Sequence, residues 1–484
     1  MRFDLDFGRA RSGARRRPGA STRILVIGDL MGASAPSAPS IDVRPIVPID
    51  VEHVEQVFAR LMPSIGLPAF GVEAPLVIES VADIHPDRLV ERIPVFDRLH
   101  DVRRRLQQTS TFRAAADELA SAAPTPAAPA PGPEPDTPAG SADTTFEQLL
   151  GGKAHPRPVS AATSAGLAAE SGVDAFIRSL VAPHIVASPD PQLPQLLSAV
   201  DTALGDTMRA VLHDTALQRL EATWRAVLWL LSRAEGTDEH TVEIVLLHAT
   251  AEELGMADTR DVLVRRLAPR GADASGWSLV VADVAIGPSA ADLALLRGLA
   301  ELAARIDTPL VAAAAGTLVG CHDMRPQADP KTWTAPPPEI DTLWAEARSK
   351  SEARFVGLTW PRFLLRLPYG AKTDPIEAFA FEEIPAAHAH DDYLWGNGAF
   401  AAALALARQS IGVPDEEAAD IDDLPAFTYV DSGEAVLKPC AEIFMPERGI
   451  DAVLDRGVMP LVSYRHRNAA RLIRMQSIAV TALG

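Results

Sequence analysis

The stretch HAHDDY, His388 to Tyr393, carries the densest set of metal-ligating side chains in the chain. It matches five of the six positions of an HxHxDH metal-hydrolase signature. Two imidazoles two residues apart can share one loop-held metal, and a neighbouring carboxylate can reach a second. The resulting alternative is a metal-dependent hydrolase using His388, His390 and Asp391. Tyr393 stands where the last histidine belongs, and downstream only His466 is left as a further imidazole. The competing expectation is a polar loop in which Asp391 or Asp392 caps a helix. A second set is Arg362 and Arg366 in LTWPRFLLRLPYG, Leu358 to Gly370. Four apart on a strand they share a face, where they can bind an anion, pair with carboxylates or extend over a solvated surface. A third is VIGDLMG, a strand end with two glycines, but its spacing is not the GxGxxG that opens a dinucleotide-binding helix. No nucleophile motif accompanies any of these, and no cofactor is expected.

These residues need elements to position them. RILVIGDL, Arg23 to Leu30, reads as a buried strand, and IDVRPIVPID as an extended segment whose prolines exclude a helix interior. Asp50 is placed to cap a helix through VEHVEQVFARLM. A strand in APLVIES, a turn at His85-Pro86 and amphipathic helix follow. Leu217, Leu220, Trp224, Val227 and Leu228 fall at helical spacing and predict one apolar face. HTVEIVLLHAT and WSLVVADVAIG read as strands. SAADLALLRGLAELAARIDTP is an amphipathic helix after a Ser289 cap, and PLVAAAAG a short buried strand. Strand, helix and strand at this spacing predict a parallel βαβ unit and an α/β (mixed α+β) fold. EIDTLWAEARSKSEA is a further helix and FVGLTW a strand. Trp395 in YLWGNGAF is expected in the core, with its glycines allowing close packing.

Between these halves, SAAPTPAAPAPGPEPDTPAGSAD, Ser121 to Asp143, is rich in Pro and Ala and nearly free of large apolar residues. It predicts an extended linker that spans on the order of 70 Å in polyproline form. The chain therefore divides into 1–120, a linker over 121–145, and 146–484, with the outer two expected as separate units. At the start, RFDLDF alternates polar and apolar residues like a half-buried strand, ahead of a basic Gly/Pro-containing arm.

The bulk composition narrows the function. The formal net charge of −19 argues against a nucleic-acid binder, which needs a basic face. Two cysteines far apart, Cys321 and Cys440, argue against a disulfide framework or a zinc site and fit a reducing cytoplasm. The N-terminus lacks the apolar core of a secretion signal, and no run of about eighteen apolar residues predicts a membrane span.

FVGLTWPRFLLRLPYG, then FAFEE, then DDYLWGNGAFAAALA resemble the large sheath subunit of the bacterial type VI secretion system (TssC or ImpC). LQRLEATWRAVLWLL and CAEIFMPERGIDAVLDRGVMPLVSYRHRNAARLIRMQS are similar to further segments of that family. TRILVIGDLMG, IDVEHVEQVFARLMP and ESVADIHPDRLVERIPVFDRLHDVRRRL resemble the small sheath subunit (TssB or ImpB). The resemblance implies a fusion of a small-subunit-like part (1–120) and a large-subunit-like part (146–484), each α/β. The large family usually continues well past AARLIRMQS, so a C-terminally shortened part is expected. It further implies a non-enzymatic structural protein that works by packing and strand exchange. Its family-motif and interface residues are Pro361, Arg362, Arg366, Pro368, Tyr369, Gly370, Trp395, Gly396 and Asn397. Phe3, Leu5 and Phe7 would form an exchanged strand added to a neighbour's sheet. Implied partners are other copies or sheath subunits, the inner tube, the baseplate and, through TFEQLL, a disassembly ATPase. A non-contracting cap or adaptor of the sheath or baseplate is the alternative within the structural class.

Overall fold

The computed structural model describes residues 21–32, 38–120, 193–234, 236, 240–269, 276–324, 329–385, 388–431 and 433–479. The expected exchange strand at Phe3, Leu5 and Phe7, the linker over 121–145 and TFEQLL lie outside these residues.

A nine-stranded sheet organises the chain. Its order is β11 (Asp420–Ile421), β15 (Ala470–Leu472), β14 (Val458–Ser463), β8 (Val356–Trp360), β7 (Leu310–Ala314), β6 (Leu279–Ile286), β1 (Ser21–Gly28), β5 (Thr241–His248) and β2 (Ile46–Ile49). From β14 to β5 every pairing is parallel, while β2, β15 and β11 add antiparallel edges. The βαβ unit is present: β6 leads through α9 (Ala290–Arg305) to the parallel neighbour β7, and the Ser289 hydroxyl accepts the Asp292 amide as the N-cap.

A parallel sheet is buried on both faces, and the strands show it. Leu25, Ile27, Val245, Leu247, Val280 and Ala282 enter a core shared with Leu293, Leu296 and Leu299 of α9. The alternate residues, Ile24, Val26, Ile244, Leu246 and Val281, are equally buried. On that side lies α11 (Gly398–Ser410), whose buried run of alanines lets its backbone come close to the strands. It packs on α6 (Thr215–Arg233) as well.

β1 lies between β5 and β6, with Ile24 opposite Ile244 on one side and Leu279 on the other. Residues before and after the Pro/Ala-rich stretch thus build one sheet. Compact units divide elsewhere: one comprises Met1–Phe96 with Gly205–Gly484, the other Asp97–Leu204. The second holds most of α3 (Pro94–Gln107), α4 (Phe112–Ala120) and the start of α5 (Leu193–Leu212). It carries the ion pairs Arg103–Asp201 (2.6 Å) and Arg105–Glu118 (2.8 Å).

Two local expectations change. α1 runs Val54–Leu61, and Asp50 closes the turn before it, its Oδ1 accepting the Glu52 and His53 amides at 2.9 Å. At the VIGDLMG turn, Gly32 has φ +81°, and a Cβ there would stand 2.5 Å from the Ser64 carbonyl. Its glycine serves a tight backbone approach. The predicted turn at His85-Pro86 is the start of α2 (Pro86–Arg92), with proline at the first helical position. None of the helices among the described residues is long and apolar enough to cross a membrane.

Candidate functional site: a buried charge network beneath the family motifs

Strand β8 ends at Trp360, and the chain enters β9 (Phe363–Leu364), which pairs antiparallel with β10 (Trp395–Gly396). This short ladder brings the PRFLLRLPYG and YLWGN segments together over α6. A Cβ on Gly396 would come within 2.8 Å of the Leu365 side chain, and one on Gly398 within 2.8 Å of the Pro361 carbonyl. Trp395 is buried, as expected, and its indole donates to the His390 carbonyl at 2.9 Å.

Arg366 lies at the centre. Its guanidinium donates to Glu221 Oε1 through Nε (2.8 Å) and to Glu383 through Nη1 (2.7 Å) and Nη2 (2.9 Å). Both carboxylates are almost wholly shielded from water. Glu383 also accepts the Tyr369 amide at 2.7 Å. Burial alone would raise its pKa, but the Arg366 charge, with the hydrogen bonds, holds it down at about 2. Burial likewise opposes the charge on Arg366, yet Glu221 and Glu383 raise its pKa well above the ordinary value. Arg366 also stacks its guanidinium over the Tyr369 ring at 4.3 Å. Arg225 donates to Glu221 (2.6 Å) and to the Tyr369 hydroxyl (3.3 Å). Pro368 and Gly370 close the segment: the Pro368 carbonyl accepts the Thr373 hydroxyl, and a side chain on Gly370 would displace the carboxylate of the exposed Glu382.

Arg362 feeds a second node. Glu442, fully buried, accepts from the Arg362 amide (2.8 Å), its Nε (2.8 Å) and His390 Nε2 (2.8 Å), and Arg362 also reaches Asp391 (2.8 Å). Burial pushes the Glu442 carboxyl up and Arg362 with His390 brings it down to about 2. Lys438 Nζ donates to His390 Nδ1 at 3.0 Å and sits over the rings of Tyr393 and Trp395. Of the readings open for the arginine pair, pairing with carboxylates is the one realised, through acids of the same chain.

The histidines of HAHDDY do not converge. His388 donates from Nδ1 to the Pro385 carbonyl (2.9 Å) and accepts the Tyr393 hydroxyl at Nε2 (3.2 Å), while His390 serves Glu442 and Lys438. Among the described residues no group of three or more His, Cys, Asp or Glu is placed to hold a metal. The helix cap in this region is Asn397, not Asp391 or Asp392: its Oδ1 accepts the Ala399 amide at 2.8 Å and opens α11. Asp392 instead accepts the Ala389 amide within a single 3-10 turn. Asn397 also donates to Asp283 (3.0 Å) and to the Val284 carbonyl (3.2 Å), tying the motif to β6. Asp283, half-buried, has its pKa raised by desolvation and accepts the Thr223 hydroxyl at 2.6 Å.

Sequence reasoning missed Glu221, Glu383, Glu442, Asp283 and Lys438. A buried carboxylate reads in sequence like any solvated one: the family segments LQRLEATWRAVLWLL, FAFEE and CAEIF hold Glu221, Glu383 and Glu442, but nothing in them marks those acids as buried. Lys438 yields a pH prediction. Desolvation lowers its pKa to about 8. Between that value and the ordinary 10.5 the unfolded chain holds a proton that the folded chain lacks, so this group makes stability rise with pH across that window. Lys438→Met is expected to remove a rise on the order of 2–3 kcal/mol, read as the difference between the two proteins' urea-unfolding curves at pH 7.5 and 10.5.

Comparison with known proteins matches two parts of the chain to two different family models. Residues 194–479, more than half the chain, match the VipB model, described as "EvpB/VC_A0108, tail sheath N-terminal domain". Residues 2–121 match the model described as "Type VI secretion system, VipA, VC_A0107 or Hcp2". The chain is 30% identical over 308 residues to type VI secretion system sheath protein TssC1 of Pseudomonas aeruginosa. That alignment covers 59% of this chain and spans 61% of the relative's length. The arginine–carboxylate network, the glycine-lined β9–β10 ladder and the shared sheet are therefore features of a chain that belongs to the type VI secretion tail-sheath (VipB) family, with a VipA-like segment in the same polypeptide.

Proposed function

We propose that this chain is a non-enzymatic structural constituent of a type VI contractile sheath or sheath-like assembly in the cytoplasm. In this reading 1–120 is the small-subunit-like part, 121–145 the linker and 146–484 the large-subunit-like part. The observation that carries it is β1 between β5 and β6: a strand from the VipA-matching stretch sits in the middle of the sheet built by the VipB-matching stretch. The fusion then acts as one small–large pair held covalently. Pro361, Arg362, Arg366, Pro368, Tyr369, Gly370, Trp395, Gly396 and Asn397 stiffen that body, and Phe3, Leu5 and Phe7 supply a strand to a neighbour. The work comes from a switch between two packings of the array. Other sheath subunits, an inner tube, a baseplate and a disassembly ATPase are the partners this role calls for.

Negative-stain electron microscopy tests the proposal. The purified chain, alone and mixed with separate sheath subunits of its host, is expected to form tubes or stacked rings or to enter tubes along their length. Particles bound only at sheath ends would replace the sheath role with that of a cap. Particles that neither assemble nor bind would refute both.

A further inference from the structure

β14 and β15 are joined by a tight loop, Tyr464–Asn468, which reads Tyr-Arg-His-Arg-Asn. The Tyr464 amide donates to the Ala469 carbonyl at 3.0 Å across its base. Two of its side chains are fastened to acids. The Tyr464 hydroxyl donates to Asp420 at 2.7 Å, and Arg467 pairs with Asp422 at 2.7 Å while lying over the Tyr464 ring at 4.3 Å. The other three, Arg465, His466 and Asn468, are exposed, and among the described residues no hydrogen bond or ion pair engages their side chains. Arg465 is nonetheless held in place: its guanidinium rests over the Phe444 ring at 5.0 Å, which orients the head group and leaves its N–H donors unused.

The loop lines a cavity of about 250 Å³. Leu437, from the hairpin of β12 (Phe427–Asp431) and β13 (Glu434–Lys438), lines it too, with Cys440 and Phe444. Cys440 and Phe444 are buried, and burial pushes the Cys440 thiol up to about 11, so it stays neutral. Two further cations at the cavity are committed elsewhere, Lys438 to His390 and Arg467 to Asp422. No described carboxylate lines it, although the chain has 64 acidic residues against 45 lysines and arginines. An unspent guanidinium beside an apolar wall, with no acid to neutralise it, is a receptor for an anion that carries an apolar body.

We propose that this cavity binds a small monocarboxylate with an apolar body, of the aryl- or alkyl-acetate class. Arg465 takes the carboxylate with its two-pronged edge, His466 and Asn468 add donors, and the body lies against Leu437, Cys440 and Phe444. Size limits the ligand: sites for drug-sized molecules begin at roughly 300 Å³, so a nucleotide is too large. Charge limits it further, because one unspent guanidinium matches one negative charge. The site needs no neighbouring copy and goes beyond the sheath role proposed above.

Titration of the full chain with phenylacetate, followed by ligand-observed NMR, tests the site. Saturable binding is expected, with a Kd of roughly 1 mM or tighter for a ligand of this size. Phenylacetamide keeps the shape and loses the charge, while acetate keeps the charge and loses the body. Each is expected to bind at least about tenfold more weakly. Arg465→Gln weakens phenylacetate binding at least about tenfold, and Arg465→Lys weakens it less. Leu437→Asp brings a carboxylate to the wall and abolishes binding. Both residues are exposed, and an unchanged melting curve without ligand verifies folding. No saturable binding of phenylacetate, equal binding of phenylacetamide, or binding indifferent to Arg465→Gln and Leu437→Asp overturns the proposal. Inorganic phosphate that binds more tightly than phenylacetate likewise overturns it.

Discussion

Arg366→Met is expected to lower the unfolding free energy by about 3–5 kcal/mol, the cost of leaving a buried carboxylate without its counter-charge. Glu383, its side chain 2% exposed, loses its paired guanidinium, while Glu221, 0% exposed, is left with Arg225 alone. Methionine fills much of the arginine's volume, so the loss reports charge, not a void. The pH dependence separates this account from one based on packing. In the native chain the Glu383 carboxyl is held at about 2 against an ordinary 4.5. A folded value below the unfolded one gives stability that is present above about pH 4.5 and lost as pH falls toward 2. Without Arg366, desolvation wins and the carboxyl is raised. The folded variant then takes up protons that the unfolded chain does not, and its deficit shrinks as the pH is lowered toward 5. Arg366→Lys keeps the charge but not the two-pronged geometry and is expected to fall between. Urea unfolding followed by tryptophan fluorescence between pH 4.5 and 8 measures both effects. A loss below about 1 kcal/mol with a parallel pH profile would contradict the network's role.

Trp224→Ala is expected to cost about 3–5 kcal/mol as well, through a different mechanism. Trp224 is fully buried on α6, stacks on Phe58 of α1 at 4.0 Å and donates its indole N–H to the Leu30 carbonyl at 3.0 Å. It joins the long helix after the linker to two elements before it. Removing it opens a cavity and orphans a backbone acceptor. Trp224→Phe restores most of the packing and loses only the hydrogen bond, about 1 kcal/mol. Hydrogen exchange adds a local signature: in Trp224→Ala, amides of Val54–Leu61 should exchange faster than those of β6 and β7. Uniform acceleration across the sheet would show instead that α6 does not hold the N-terminal elements specifically.

These two residues mark how far the sequence was legible. Trp224 was placed correctly on the apolar face of a helix, because a side chain recurring at three- and four-residue intervals declares its face locally. Its contacts with Leu30 and Phe58 had no local sign. Arg366 was flagged with Arg362 as a pair on one strand face. Yet β9 has only two residues, and the two arginines serve different nodes, Glu221 with Glu383 and Glu442 with Asp391. Glu221 is 145 residues from Arg366, and Glu442 is 80 from Arg362.

Sequence alone determined the strands and helices of the βαβ unit, the Ser289 cap, the burial of Trp395 and the sheath-family motifs, since periodicity, capping and motif order act over a few residues. Tertiary structure decided that β1 lies inside the sheet made after the linker, that Asn397 and not an aspartate caps α11, and that HAHDDY serves two hydrogen-bond networks. Strand order and charge pairing depend on which distant segments meet when both faces of the sheet are covered. A carboxylate has the same letter in water as beside a buried guanidinium, and only the fold decides which it is.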